Sequence, residues 1–190
     1  LIQAEKPDVL CLQETKVENA HFPMDLLKST GMEHIVFHGE KSYNGVCILS
    51  KKPVEAWHIR GFAKRQDCRH IGAKIGGIYF HNLYVPAGGD IPDPELNPKF
   101  AHKLAFVDDA IAWAKETINP SDPVIALGDF NIAPLEHDVW SHKQLLDVVS
   151  HTPIEVEKLT RFQQSVGWVD SSRQFTPESQ KLYSWWSYRN

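Results

Sequence analysis

Two carboxylates, an amide and a phenol stand at the ends of apolar, strand-like stretches. Glu14 follows Val9–Gln13, Asp129 and Asn131 follow Val124–Gly128, and Tyr84 closes Ile78–Val85 just before Pro86. Strand ends are rigid mounts, and the loops leaving them open a shared cleft. Asp129 and Asn131 are two residues apart, so on an extended backbone their side chains point the same way. Hard oxygen donors with no thiol or imidazole beside them suit Mg²⁺ or Mn²⁺ rather than Zn²⁺. Each residue also has an ordinary reading. Gly128-Asp129 reads equally as a turn, Glu14 as a charge at a helix start and Tyr84 as an amphipathic edge residue. The residues alone therefore reach a candidate divalent-cation site and stop there.

Other chemistries lack their signatures. The chain has no P-loop, no GxGxxG after a strand, no HExxH, no GxSxG and no CxxC. His34 and His38 flank the strand-like Ile35-Val36-Phe37. Side chains four apart on a strand are roughly 13 Å apart, too far to share a metal. Cys11, Cys47 and Cys68 are odd in number and widely spaced, and read as buried free thiols in a reducing compartment.

The elements that must position these residues follow from periodicity. Val9–Gln13, Glu33–Phe37, Gly45–Ser50, Val54–Ile59, Ile71–Ile75, Ile78–Val85 and Pro123–Leu127 read as strands. Gly76-Gly77 is a favoured two-residue hairpin turn. Asn19 is placed to cap a helix running to about Lys28, with Gly31 beyond its end. Phe100, Leu104, Val107, Ile111 and Ala114 give the segment from about Lys99 to Glu116 one apolar stripe, and Pro153–Val166 forms a second helix. Pro86 to Pro98, rich in Pro and Gly, is a long loop of the kind that is often functional. Leu182–Tyr188 is an aromatic, strand-like run.

No repeat or linker divides the 190 residues, so one α/β or α+β domain over 1–190 with a partly antiparallel sheet is expected. The chain opens at Leu1, in what reads as the tail of a helix, and stops at Asn190, so both ends read as cut. No apolar run is long enough to span a bilayer, and nothing at the start reads as a secretion signal. The net charge of −4 argues against wholesale wrapping by nucleic acid but leaves room for a nuclease with a local basic surface.

Three segments in order carry a resemblance: Leu12-Gln13-Glu14-Thr15-Lys16, Asn82-Leu83-Tyr84-Val85-Pro86 and Gly128-Asp129-Phe130-Asn131. With Asn44-Gly45-Val46 and Tyr183-Ser184-Trp185-Trp186, they resemble the exonuclease III / apurinic-apyrimidinic endonuclease family, in detail its bacterial branch. The resemblance implies a four-layer α-β-β-α sandwich of two mixed, largely antiparallel sheets, incomplete here at both termini. It implies Mg²⁺-dependent hydrolysis of DNA, with Mn²⁺ as substitute: 3′→5′ exonuclease on duplex ends and incision at abasic sites in base excision repair. The implied partner is double-stranded or abasic-site DNA, and the implied protein is a cytoplasmic monomer without membrane attachment.

By the same resemblance Glu14 is the carboxylate that holds the metal. Asp129 positions or deprotonates the attacking water, Asn131 touches the metal or the phosphate, and Tyr84 donates toward the scissile phosphate. Lys16, Asn44 and Arg69 match positions near the substrate backbone, and Trp185 matches an aromatic wall for a base-free sugar or, equally, a core aromatic. The chain departs from the pattern at Ala87, where relatives often carry an amide, and it lacks the family's opening Trp-Asn-Ile-Asn and closing Asp-His. Two alternatives stay open: a phosphatase of the same fold acting on lipid or small-molecule phosphates, and a catalytically inert DNA-binding remnant.

Overall fold

Seven short segments rich in β-branched and apolar residues pair into two sheets in the computed structural model, which describes residues 2–186. The strands are β1 (Val9–Gln13), β2 (His34–His38), β3 (Val46–Ser50), β4 (Val54–Ile59), β5 (His70–Ile75), β6 (Ile78–Tyr84) and β7 (Val124–Asp129). The helices are α1 (Ile2–Glu5), α2 (Met24–Lys28), α3 (Pro98–Thr117), α4 (His142–Leu145) and α5 (Pro153–Ser165). One sheet, ordered β1-β3-β2, is antiparallel throughout. The other, ordered β4-β5-β6-β7, is mixed, because β7 joins β6 in parallel. Two sheets with helices make the α/β class expected from the sequence. Among the described residues, no helix is long and apolar enough to cross a membrane.

The chain divides into two compact units, Leu1–Tyr84 with Ser121–Asp129, and Val85–Pro120 with Phe130–Asn190. In the first unit both sheets contribute to one core. Val36, Val46 and Ile48 pack with Ile71, Ala73, Ile75 and Tyr84. β3 is buried at every position, as its apolar Val46-Cys47-Ile48-Leu49 demands. A second cluster of Met32, Cys47 and Leu49 fills the other face of the three-stranded sheet. Gly76 and Gly77 both take positive φ at the β5–β6 turn, as a two-residue hairpin requires.

In the second unit, α3 begins one residue earlier than the apolar stripe alone indicates, because Asn97 caps it, accepting from Lys99 N at 3.0 Å, and Pro98 starts it; it ends one residue later, at Thr117. All five stripe residues are buried, together with Phe106, Ala110, Trp113 and Lys103. α3 meets α5 through a fully buried ion pair, Lys103 Nζ to Glu155 Oε1 at 2.5 Å. Glu155 also receives the Ser150 and Thr152 amides and the Thr152 hydroxyl, which fixes the start of α5.

Two expectations change. The helix from Asn19 to Lys28 is broken into a 3₁₀ turn, Asn19–His21, and α2, because Pro23 interrupts the backbone hydrogen bonds. The Asn19 side chain does not cap it but accepts from Gly39 N. The run from Leu182 forms no strand as far as Trp186, and 187–190 lie outside the described residues. Leu182 N and Ser184 N instead donate to the His137 and Asp138 carbonyls of a 3₁₀ turn.

Candidate active site

Glu14 is the first residue beyond β1 and Tyr84 the last of β6, in different sheets and 70 positions apart in the chain. The Tyr84 hydroxyl donates to Glu14 Oε1 at 2.5 Å. Asn82, two residues earlier on β6, aligns these ends. It is fully buried, accepts from the Gln13 amide at 2.7 Å and donates to the Leu12 and Cys47 carbonyls at 2.9 and 3.0 Å. One amide thus satisfies groups on β1 and β3 from the opposite sheet. Gln13 and Asn82 stand inside the segments that carry the resemblance, but the sequence assigns neither a role. Their signal was polarity inside otherwise apolar strands.

The Glu14–Lys16 turn is tied down from behind. Lys16 N donates to Asn44 O and Thr15 N to Gly45 O, and Gly45 N donates to Cys68 O. Glu14, Lys16, Asn44 and Cys68 all take positive φ, a set of sparsely populated conformations concentrated at one place. Gly45 must be glycine. Its φ is +98°, and a Cβ there would lie 2.1 Å from Thr15 Oγ1. These contacts bring Glu14, Lys16, Asn44, Arg69 and Tyr84 to one end of the two sheets.

Arg69 is turned onto Tyr84. Its guanidinium carbon lies 4.5 Å from the ring centroid, Nη1 donates to Tyr84 O at 3.2 Å, and Nε pairs with Asp67 at 3.0 Å. Asn44 donates to Glu40 Oε1 at 2.7 Å, and Lys16 Nζ sits 3.2 Å from Glu14 Oε2. The Tyr84 hydrogen bond, helped by Lys16 and Arg69 against the opposing effect of burial, holds the Glu14 carboxyl below its ordinary range. Burial first, then the bond to Glu14 and its charge, push the Tyr84 phenol up. The phenol therefore keeps its proton as a donor while Glu14 stays ionised.

Asp129 is the last residue of β7 and the register partner of Tyr84, which places both on neighbouring strand ends. Gly128 makes that pairing feasible, since its φ is +133° and a Cβ would lie 2.0 Å from Leu83 O. Asp129 is exposed. The expectation that Asp129 and Asn131 share a side of an extended backbone fails, because β7 ends at Asp129 and Asn131 adopts φ +49°. Glu14 and Asp129 are accessible carboxylates, the hard donors that suit a divalent cation.

Asn131 and Trp185 belong to the second unit. Asn131 donates from its amide to Val85 O at 2.9 Å, while its own carbonyl accepts from Lys103 Nζ at 2.7 Å. Lys103 also donates to Ala87 O, so one buried ammonium pins the loops after Val85 and around Asn131. This role of Lys103 was invisible in the helix pattern. Trp185 is half-buried against Ala133, Val139 and Leu145. The loop before α3 is braced internally, with Asn97 donating to the Gly88 and Ile91 carbonyls.

The model of the Endonuclease/Exonuclease/phosphatase family matches residues 1–190. The chain is 30% identical over 189 residues to a DNA-(apurinic or apyrimidinic site) endonuclease of Dictyostelium discoideum, covering 98% of this chain and 51% of that protein. It is 29% identical over 203 residues to an exodeoxyribonuclease III of Haemophilus influenzae, covering 100% of this chain and 74% of that protein. A solved structure of an AP endonuclease from Archaeoglobus fulgidus matches with TM-score 0.90 at 32% identity, over 100% of this chain and 71% of that one. The chain thus spans about half the length of the Dictyostelium relative.

Proposed function

The chain belongs to the endonuclease/exonuclease/phosphatase family, and from that membership we propose that it is the core of a Mg²⁺-dependent DNA phosphodiesterase. The activity proposed is 3′→5′ exonuclease on duplex ends and incision at abasic sites, in base excision repair. The observation that carries this reading is the Tyr84–Glu14 hydrogen bond, braced by Arg69 and aligned by Asn82, with Asp129 on the neighbouring strand end. The names of the Dictyostelium and Haemophilus relatives support DNA as the substrate.

Each residue then has a task. Glu14, ionised and oriented by Tyr84 and Lys16, is the principal metal carboxylate, with Asp129 and Asn131 as further oxygen donors. A bound Mg²⁺, or Mn²⁺ in its place, would supply stabilisation for the negative charge that develops on the phosphate oxygens. Asp129 takes the proton of the attacking water and returns it to the leaving oxygen. Asn131 steadies the developing charge. Tyr84, kept protonated, offers a phosphate oxygen the hydrogen that it now gives to Glu14. Lys16, Asn44 and Arg69 face the substrate backbone, Arg69 also by holding the Tyr84 ring. Trp185 borders the base-free sugar. We read 1–190 as one domain of a monomeric, cytoplasmic bacterial enzyme.

The test is cleavage of a 5′-labelled duplex carrying one abasic analogue, with Mg²⁺ against EDTA. Incision that requires the metal, on DNA and not on inositol phosphates, is expected. Turnover of inositol phosphates with the duplex left intact would move the assignment to the phosphatases of the fold.

A further inference from the structure

A second cluster of ligating groups lies on the face of the four-stranded sheet turned away from the sheet–sheet core. His58 of β4, His70 of β5 and His81 of β6 converge there, with ligand nitrogens all within 4.8 Å of one another. Register explains the convergence. Gly72 is the β5 partner of both His58 and His81, and His70 precedes it by two residues on the same face. The ring centroids form a nearly equilateral triangle with sides of 5.6, 5.6 and 5.4 Å. Glycine at the centre makes this possible, since a Cβ on Gly72 would lie 2.4 Å from His58 Cε1 and 3.0 Å from His81 Nδ1.

We propose that His58, His70 and His81 form a binding site for one borderline divalent transition-metal ion, of the Zn²⁺, Co²⁺ or Ni²⁺ kind, separate from the oxygen-donor site at Glu14. His70 Nε2 and His81 Nδ1 are 3.2 Å apart. Two nitrogens bound to one tetrahedral ion with bonds of about 2.0–2.1 Å are about 3.3 Å apart, so small ring rotations suffice. The ion takes the place of the hydrogen shared by these two nitrogens; the ring that donated it moves that proton to its other nitrogen, so that both rings ligate as neutral imidazoles. Burial favours the neutral, ligating form of His70 and His81, and the neighbouring imidazoles and then Arg60 add to this at His70. Three imidazoles and no carboxylate select transition ions over Mg²⁺. His58 is exposed while His70 and His81 are buried, so the fourth position opens toward solvent beside β4. The ion would act as a clip, fastening the exposed edge strand β4 to β5 and β6.

The experiment is titration of the chelator-treated protein with Co²⁺ in excess Mg²⁺, read by visible absorption, alongside the melting temperature with and without Zn²⁺. One Co²⁺ per chain with the intense bands of a four- or five-coordinate nitrogen site is expected, and a Zn²⁺-dependent rise in melting temperature. In His58→Ala, at an exposed position, Co²⁺ affinity should fall by more than the roughly 10–100-fold typical of losing an outer-shell partner. The Zn²⁺-dependent rise should vanish while the circular-dichroism spectrum is kept. Binding by His58→Ala with unchanged affinity, or no Co²⁺ bands in the wild-type protein, would overturn the site. His81→Gln provides a second ligand deletion, and the same loss of the bands is expected. Because the readout is metal binding, its failure leaves the DNA-cleavage reading untouched, and the reverse holds as well.

Discussion

Tyr84 and Glu14 show how two side chains acquire chemistry only together. The hydrogen bond between them holds the carboxyl ionised and, with burial, keeps the phenol protonated, so an anionic oxygen donor and a protonated hydroxyl sit side by side. Asp129 stands on the adjacent strand end, exposed and away from the core. Asp129→Asn is isosteric at that exposed position, so folding should be untouched while the proton transfer proposed for Asp129 is lost. The rate of abasic-site incision should fall by about 10²–10³-fold or more. Single-turnover cleavage beside a matched circular-dichroism spectrum checks this, and near-wild-type rates would remove Asp129 from the mechanism. The residue types at Glu14, Tyr84 and Asp129 were legible in the sequence, because hard donors at strand ends have a direct chemical meaning. The turning of Arg69 onto Tyr84 was not, since a cation 15 positions from its ring meets it only through β5–β6 pairing.

At the scale of elements, two buried polar devices hold what the apolar patterns only outline. Asn82 staples β6 to β1 and β3 through three hydrogen bonds. Asn82→Ala should leave two carbonyls and the Gln13 amide without that partner, at about 1–3 kcal/mol for each group left unsatisfied. Urea unfolding should show a loss of about 3 kcal/mol or more, and a loss below 1 kcal/mol would mean that water replaces the amide. Lys103 does comparable work in the second unit, where its ammonium meets Glu155 and the Ala87 and Asn131 carbonyls. Lys103→Met strands the Glu155 carboxylate in the interior, which costs about 3–5 kcal/mol. The double variant Lys103→Met/Glu155→Leu should recover much of that, and equal destabilisation of the single and double variants would refute the ion-pair account. Periodicity located α3 but could not distinguish a snorkelling surface lysine from a buried one, because both obey the same 3.6-residue repeat.

For the whole molecule, the thiols offer a test that is independent of any substrate. Cys47 and Cys68 are buried and Cys11 is half-buried, all unpaired. Burial pushes the Cys11 and Cys47 thiols up to about 12 and Cys68 to about 11. The thiolate is the reactive form, so a thiol at about 12 is ionised to roughly one part in 10⁴ at pH 8. Thiol reagents should therefore label the folded protein very slowly and all three cysteines promptly in urea, and fast labelling of native Cys47 would contradict the packed sheets. The sequence by itself determined the residue types available for chemistry, the order of the strands, the stripe of α3 and the family resemblance. Those depend on neighbours a few positions apart, which set local periodicity and motif spacing. Only the tertiary structure decided that Glu14 meets Tyr84 across 70 positions, that Asn82 joins strands of the two sheets and Lys103 holds the loops at Ala87 and Asn131, and that His58, His70 and His81 share one face around Gly72. Such meetings follow from sheet register and from the need to satisfy buried polar groups, and neither is expressed in the spacing of residues along the chain.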